Sequence, residues 1–425
     1  MTPRTDPVYG FKQAMPRSAT LPWLTLALLL TLQTHGFAKV NPSAARVNAT
    51  VPPTAAENGM AEARLLEVYH LMANGRGREA LALAAGVVRD HPNFQLAQLV
   101  YGDLLAARIR PVRTLGDVPA ELATAGANAL GELREESQKR VRSLREPPRA
   151  GTIPSQFLEI PQKTRHAIAV DASRSRLYLF ENRPTGLVLI ADYYTSVGKA
   201  GVSKTQQGDQ RTPLGVYYIT SNVNPRSLTD FYGPGALPIN YPNMLDAKRG
   251  KTGSGIWLHG TPREQFSRPP QASDGCLVMA NPDLVHIIQT VEVGSTPVVI
   301  APQLQWVDPH SAKTESKPFD ETLQAWRTAK VAGNLDRVMS FYTQDFNSYG
   351  KTLAQWSGVL RGELARAQGH DIELKDVSML RWTDSADTMV VTFGEVLLGQ
   401  RTGWTKRQYW TRQSGQWKIF FEGTL

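Results

Sequence analysis

The chain has 425 residues, 41% hydrophobic and 20% charged, with a net charge of +9. That length exceeds one ordinary core and implies about two to four domains. The composition excludes a disordered or multispanning chain, and the positive charge suits an anionic polymer or membrane headgroups.

Arg4, Lys12 and Arg17 precede an apolar run over 21–32, and Gly36-Phe37-Ala38 follows. A basic start, a short apolar stretch and small residues before a cleavage point read as a secretory signal peptide over 1–38, cut after Ala38. The alternative is an uncleaved anchor. The apolar run is short of the ~20 residues that span a bilayer. Export to the periplasm is therefore expected, with wall polymer rather than nucleic acid as the anionic partner.

Residues 39–58, rich in Pro, Ala, Asn and Thr, read as a flexible spacer. From 59 to 150 the period becomes helical. Leu65, Leu66, Val68, Tyr69 and Met72 mark a first helix, broken at Asn74-Gly75. Ala80, Leu81, Ala84 and Val87 mark a second, ending near His91-Pro92, and Leu99, Tyr101 and Leu105 a third starting at Phe94. This is a tetratricopeptide-like hairpin of one repeat. A solenoid needs about three, so a helical bundle or stalk is expected, extended by a charged helix over 119–144. Pro147-Pro148 stops that helix, and 151–161 reads as a linker.

Alternation then replaces the helical period. Strands are expected over 166–171, 176–181, 187–196, 215–221 and 296–300, with one helix over 281–290, so 162–303 reads as a mostly-β domain. A polar linker is expected over 304–317. In 318–425, helices over 319–332, 335–341 and 353–366 precede strands over 372–380, 388–397, 405–410 and 417–422, an α+β order. That order, with the closing Trp417-Lys418-Ile419-Phe420-Phe421-Glu422-Gly423, resembles the NTF2-like cone. Trp326, Tyr342 and Trp410 are candidates to line the cone or simply to fill its core.

The chemistry centres on Cys276, the single cysteine of the chain. An exported protein with one cysteine forms no internal disulfide, so the thiol is either deeply buried or used. It sits in Ser273-Asp274-Gly275-Cys276-Leu277. Glycine before a nucleophile allows a tight turn whose amides can serve an oxyanion. A free thiol is mostly protonated at neutral pH and needs a base. Of eight histidines, His35 falls in the leader, and His70, His91, His310 and His370 fall outside the β domain. His166 and His286 lie in ordinary strand and helix patterns. His259 ends the apolar strand Ile256-Trp257-Leu258 and opens into Gly260-Thr261-Pro262, where a scaffold presents side chains. The carbonyl of Gly260 or the carboxylate of Asp274 would orient the imidazole. No histidine pair has ligand spacing and there is no second cysteine, which argues against a metal or other cofactor.

These segments resemble the L,D-transpeptidase (YkuD-like) family. Its motifs are matched by His259-Gly260, by Ser273, Gly275 and Cys276, by the hairpin over 168–180, and by Gly208-Asp209-Gln210-Arg211-Thr212-Pro213-Leu214-Gly215. Asp274 replaces the family's usual histidine, and Val278 stands where many members have arginine or asparagine, which removes a ready carboxylate clamp. The resemblance implies a multidomain chain: an α-helical N-terminal region, a mostly-β catalytic domain and an α+β NTF2-like domain. It implies peptidoglycan stem peptides as substrate, with His259 as base, Cys276 as nucleophile and the Gly275 and Cys276 amides as oxyanion donors. Tyr232 and Tyr241, before the catalytic strand, fall where the family has a lid and are candidate substrate contacts. An amine acceptor would make the enzyme an L,D-transpeptidase. Water would make it an L,D-carboxypeptidase, as in relatives that set helical cell shape, or a hydrolase that frees lipoprotein from the wall. A non-catalytic wall-binding scaffold, or a wall or lipoprotein partner held by the NTF2-like domain, is the remaining reading.

Overall fold

The computed structural model describes residues 60–367, 370–385 and 387–425. The expected leader and the whole expected spacer lie outside them. Among the described residues no helix is long and apolar enough to cross a membrane.

Helices Met60–Ala73, Gly77–Asp90 and Gln95–Ala106 pack as expected from their spacing, burying Leu65, Val68, Val87 and Val100. The charged helix over 119–144 is two helices, Ala120–Ala125 and Ala127–Arg145, divided at Gly126. The second buries Glu136 and Arg140. Arg140 pairs with Glu62 at 2.8 Å and Glu136 at 2.7 Å. Glu62 also takes Arg176 of the β domain at 2.7 Å. Buried charges persist only when paired this closely, because desolvation otherwise outweighs their attraction.

The sheet of the β domain has the order Gly186–Tyr194, Arg176–Arg183, His166–Asp171, Pro297–Ala301, Gly215–Tyr218. His166–Asp171 and Pro297–Ala301 run parallel and are buried throughout. Burial on both faces requires a cover on each. On one face Ile168, Val170, Val298 and Ile300 meet Leu258, Leu277 and helix Asn281–Thr290. On the other, Ala167, Ala169, Tyr178 and Val299 share a core with Phe157, Phe319, Leu380 and Trp382. A smaller sheet sets Ala236–Pro238, Trp257–His259 and Leu277–Val278 side by side.

The shared core corrects two expectations. The linker over 304–317 is instead strand Trp306–Val307 followed by helix Pro309–Val331, whose Pro318 lies inside it. Ala312 and Phe319 face the core, so the polar residues of this stretch mark the solvent side of a helix. The linker over 151–161 contains strand Phe157–Glu159, which adds itself to the edge of the C-terminal sheet beside Ile372–Arg381. That sheet continues through Thr388–Leu397, Trp404–Gln413 and Gln416–Thr424. Trp326, Tyr342 and Trp410 are buried core side chains. The interior also holds Lys330 and Lys406, paired with Glu363, Glu395 and Glu422.

Gly215 marks how closely the two domains meet. A Cβ there would overlap the Trp382 indole. Gly215→Ala is therefore expected to destabilise the protein by about 1–3 kcal/mol through overpacking. Calorimetry should show the β domain and the C-terminal domain melting in one transition moved to lower temperature. Two transitions, with the C-terminal one unmoved, would contradict a shared core.

Candidate active site

Strand pairing brings the two chemical groups together. Leu277–Val278 runs parallel to Trp257–His259, with Leu277 opposite Leu258 and Val278 opposite His259. One residue back, the register sets Cys276 beside Trp257, on the face shared with His259. Cys276 and His259 line one cleft of 260 Å³ with Lys204, Tyr232, Gly255 and Arg268.

The turn before Cys276 requires its glycine. Gly275 has φ +122°, and a Cβ would stand 2.7 Å from the Arg211 carbonyl oxygen. Thr212 Oγ1 donates to the Gly275 carbonyl at 2.9 Å, and Ser273 Oγ to the Cys276 carbonyl at 2.6 Å. The Gly275 amide donates to Ser273 Oγ at 3.1 Å. This corrects the expected oxyanion pair: the Gly275 amide is engaged, because Ser273 folds back over the turn. The Cys276 amide has no acceptor among the described residues and remains available.

His259 is buried, and its Nδ1 meets the Gly260 carbonyl at 2.7 Å. A carbonyl only accepts, so Nδ1 carries the proton and Nε2 is left with the lone pair a base needs. Asp274 does not orient the imidazole. It is exposed at the cleft mouth, 3.2 Å from Lys199 Nζ. The Gly260–Thr261 backbone is held by Asn281, whose Oδ1 accepts from the Thr261 amide at 2.8 Å and whose Nδ2 donates to the Thr261 carbonyl at 3.0 Å. A Cβ on Gly260 would overlap Asn281 Oδ1.

Tyr232 lies in the cleft wall, its ring 5.1 Å from the His259 ring and 5.0 Å from Trp257. Tyr241 does not reach the cleft lining. It is buried beside Tyr217, and its hydroxyl donates to the Thr252 carbonyl at 3.1 Å, so it is a packing residue. Sequence reasoning missed Phe231, Arg268 and Asn281. Asn281 carried only a helix-start signal, and Arg268 sits in a Ser-Arg-Pro-Pro stretch without periodicity.

Burial pushes the His259 imidazole down to about 4, against the upward pull of its bond to Gly260. Burial also pushes the Cys276 thiol up, outweighing the Trp257 amide and the Arg268 charge that favour thiolate. The thiol donates to the Gly255 carbonyl at 3.4 Å. The resting pair is thus neutral thiol and neutral imidazole, not thiolate and imidazolium. Alkylation of Cys276 by iodoacetamide should therefore accelerate steadily as pH rises through neutrality and into the alkaline range. A plateau below neutrality would contradict the neutral pair.

No curated protein matches the chain in sequence. Among solved structures, Bd1075 of Bdellovibrio bacteriovorus is similar at 23% identity and TM-score 0.55, over 64% of this chain and 98% of that one. The helical cell shape determining protein Pgp2 of Campylobacter jejuni is similar at 20% identity and TM-score 0.49, over 69% of this chain and 100% of that one. Residues 165–300 match the YkuD family, the L,D-transpeptidase catalytic domain, and residues 319–423 match the Cds6 C-terminal NTF2-like domain. The chain therefore joins a helical N-terminal region to an L,D-transpeptidase-family catalytic domain and a Cds6-type NTF2-like domain.

Proposed function

We propose that the protein is an exported enzyme that cleaves the bond between the L-centre of meso-diaminopimelate and D-alanine in peptidoglycan tetrapeptide stems. The reading is carried by one observation: the single thiol of the chain shares a cleft with a buried imidazole whose Nε2 is free to take a proton. His259 Nε2 accepts the Cys276 proton as sulfur attacks the scissile carbonyl. The tetrahedral oxyanion lies against the Cys276 amide. Collapse expels D-alanine, its amine taking the proton from His259, and leaves a thioester on Cys276. An acceptor then attacks the thioester, with His259 again as base.

The acceptor distinguishes transpeptidase from carboxypeptidase. The cleft volume of 260 Å³ lies just below the ~300–1,000 Å³ usual for small-molecule sites. With water as acceptor the activity is that of an L,D-carboxypeptidase; with the amine of a second stem it is that of an L,D-transpeptidase. The lipoprotein and wall-partner readings have no comparable support.

Purified disaccharide-tetrapeptide is the deciding substrate. Wild-type protein should release D-alanine and leave tripeptide, Cys276→Ala should release none, and His259→Gln should be slower by about 10²–10⁴-fold. Cross-linked dimer as the main product would replace water with an amine acceptor. Undiminished turnover by Cys276→Ala would end the covalent mechanism.

A further inference from the structure

Two cations line the cleft, Lys204 and Arg268. Lys204 is spent: it is buried and bound to Asp209 at 2.7 Å. Arg268 makes no ion pair within 4 Å among the described residues; the cleft carboxylate whose charge reaches it, Asp274, is paired with Lys199. Its guanidinium carbon stands 4.5 Å over the Phe231 ring, and the Phe231 ring in turn lies 5.8 Å from the His259 ring. A half-buried guanidinium held over an aromatic ring keeps its N–H donors for a carboxylate, which it can take fork to fork.

The backbone around it is fixed from both sides. Phe266 stacks on Phe94 of the helical region at 4.2 Å. Ser267 Oγ donates to Glu136 at 2.8 Å, inside the Arg140 cluster. The Tyr194 hydroxyl donates to the Arg268 carbonyl at 2.9 Å, and Ser196 Oγ to the Pro269 carbonyl at 2.6 Å. Such a support shell pre-organises the charge before substrate arrives. Arg268 also favours the thiolate against the upward push of burial, so a test of substrate binding must read a quantity that thiol ionisation does not move.

We propose that Arg268 is a specificity-determining residue that binds the free α-carboxylate of the terminal D-residue, the leaving group of the scissile bond. This rests on the stem-peptide reading above. The carboxylate nearest the scissile carbonyl on the leaving side is that of D-alanine. The far carboxylate of diaminopimelate lies at the other end of its side chain. Arg268 thereby supplies, from the loop before the nucleophile turn, a cation that position 278, a valine, does not. The enzyme selects uncapped tetrapeptide ends and rejects stems whose fourth residue is amidated or extended.

The test compares disaccharide-tetrapeptide with its D-alaninamide twin. Both meet the same thiol, so the ratio of their kcat/KM is insensitive to any change in thiol ionisation. Wild-type protein should favour the acid by roughly 10- to 100-fold. Arg268→Gln should bring the ratio near unity, chiefly through KM for the acid. Arg268→Lys, which keeps a point charge but not the fork, should fall between. An unchanged ratio in Arg268→Gln overturns the proposal. If wild-type protein turns over neither peptide, the proposed reaction fails separately. Calorimetric binding to Cys276→Ala and to Cys276→Ala/Arg268→Gln then decides the clamp: it stands if only the former prefers the acid and falls if both bind acid and amide alike. Unchanged thermal midpoints establish that each variant is folded.

Discussion

The site depends on the parallel pairing of two very short strands. Trp257–His259 and Leu277–Val278 are three and two residues long, yet their register fixes which side of the sheet the imidazole and the thiol occupy. A slip of one residue would turn the two groups to opposite faces. Strands this short hold register only if something outside them does so. Leu258 and Leu277 are fully buried in the core above the five-stranded sheet, and the Met279 amide bonds the His259 carbonyl at 3.1 Å just past the pairing. The Ser196–Val278 bridge ties the same strand to the neighbouring loop. The hydrophobic core therefore acts on the chemistry through register.

The flanking domains extend that constraint. The helical region grips the loop over 266–269 by aromatic stacking and by a cluster in which Glu62 and Glu136 neutralise Arg140 and Arg176. Removing one partner from such a cluster typically costs about 3–5 kcal/mol, because the charges left behind stay buried. The NTF2-like domain holds the opposite side. Trp382 packs against Gly215, Arg249 pairs with Asp384 at 2.9 Å, and Lys248 pairs with Asp345. Those lysine and arginine residues lead directly into the segment whose Gly253 and Gly255 line the cleft. Both outer domains thus contact backbone that continues into the site.

Most elements were legible because burial imposes a period. Ile168 and Val170 alternate with Ala167 and Ala169, and helix Asn281–Thr290 opens on its Asn-Pro-Asp start. Cys276 was conspicuous by solitude and His259 by its place at a strand end. What stayed hidden was tertiary. The stretch over 304–317 reads as polar because only one stripe of its helix is buried. Arg268 shows nothing in sequence, since its meaning lies in Phe231 beneath it and in its place in the cleft lining. Ser273 matched the expected motif, but only coordinates show its hydroxyl occupying the Gly275 amide. Tyr241 and Tyr232 are indistinguishable by position, and packing alone separates core from cleft.

The neutral resting pair bears on how a solitary thiol survives. Oxidation follows thiolate character and exposure. Burial raises the Cys276 thiol and lowers His259, so each suppresses the charged form that an ion pair would create. The protonated sulfur, bonded to the Gly255 carbonyl, is a poor target for oxidants and a poor nucleophile at once. In the proposed reaction, a substrate that set its carbonyl against the Cys276 amide would change the balance only at the moment of attack, when developing oxyanion charge compensates the imidazolium. Proton transfer would then accompany carbon–sulfur bond formation rather than precede it. On that order the Cys276 amide and the His259–Gly260 bond would meet charges that exist only in the transition state, where stabilisation raises the rate rather than merely tightening binding.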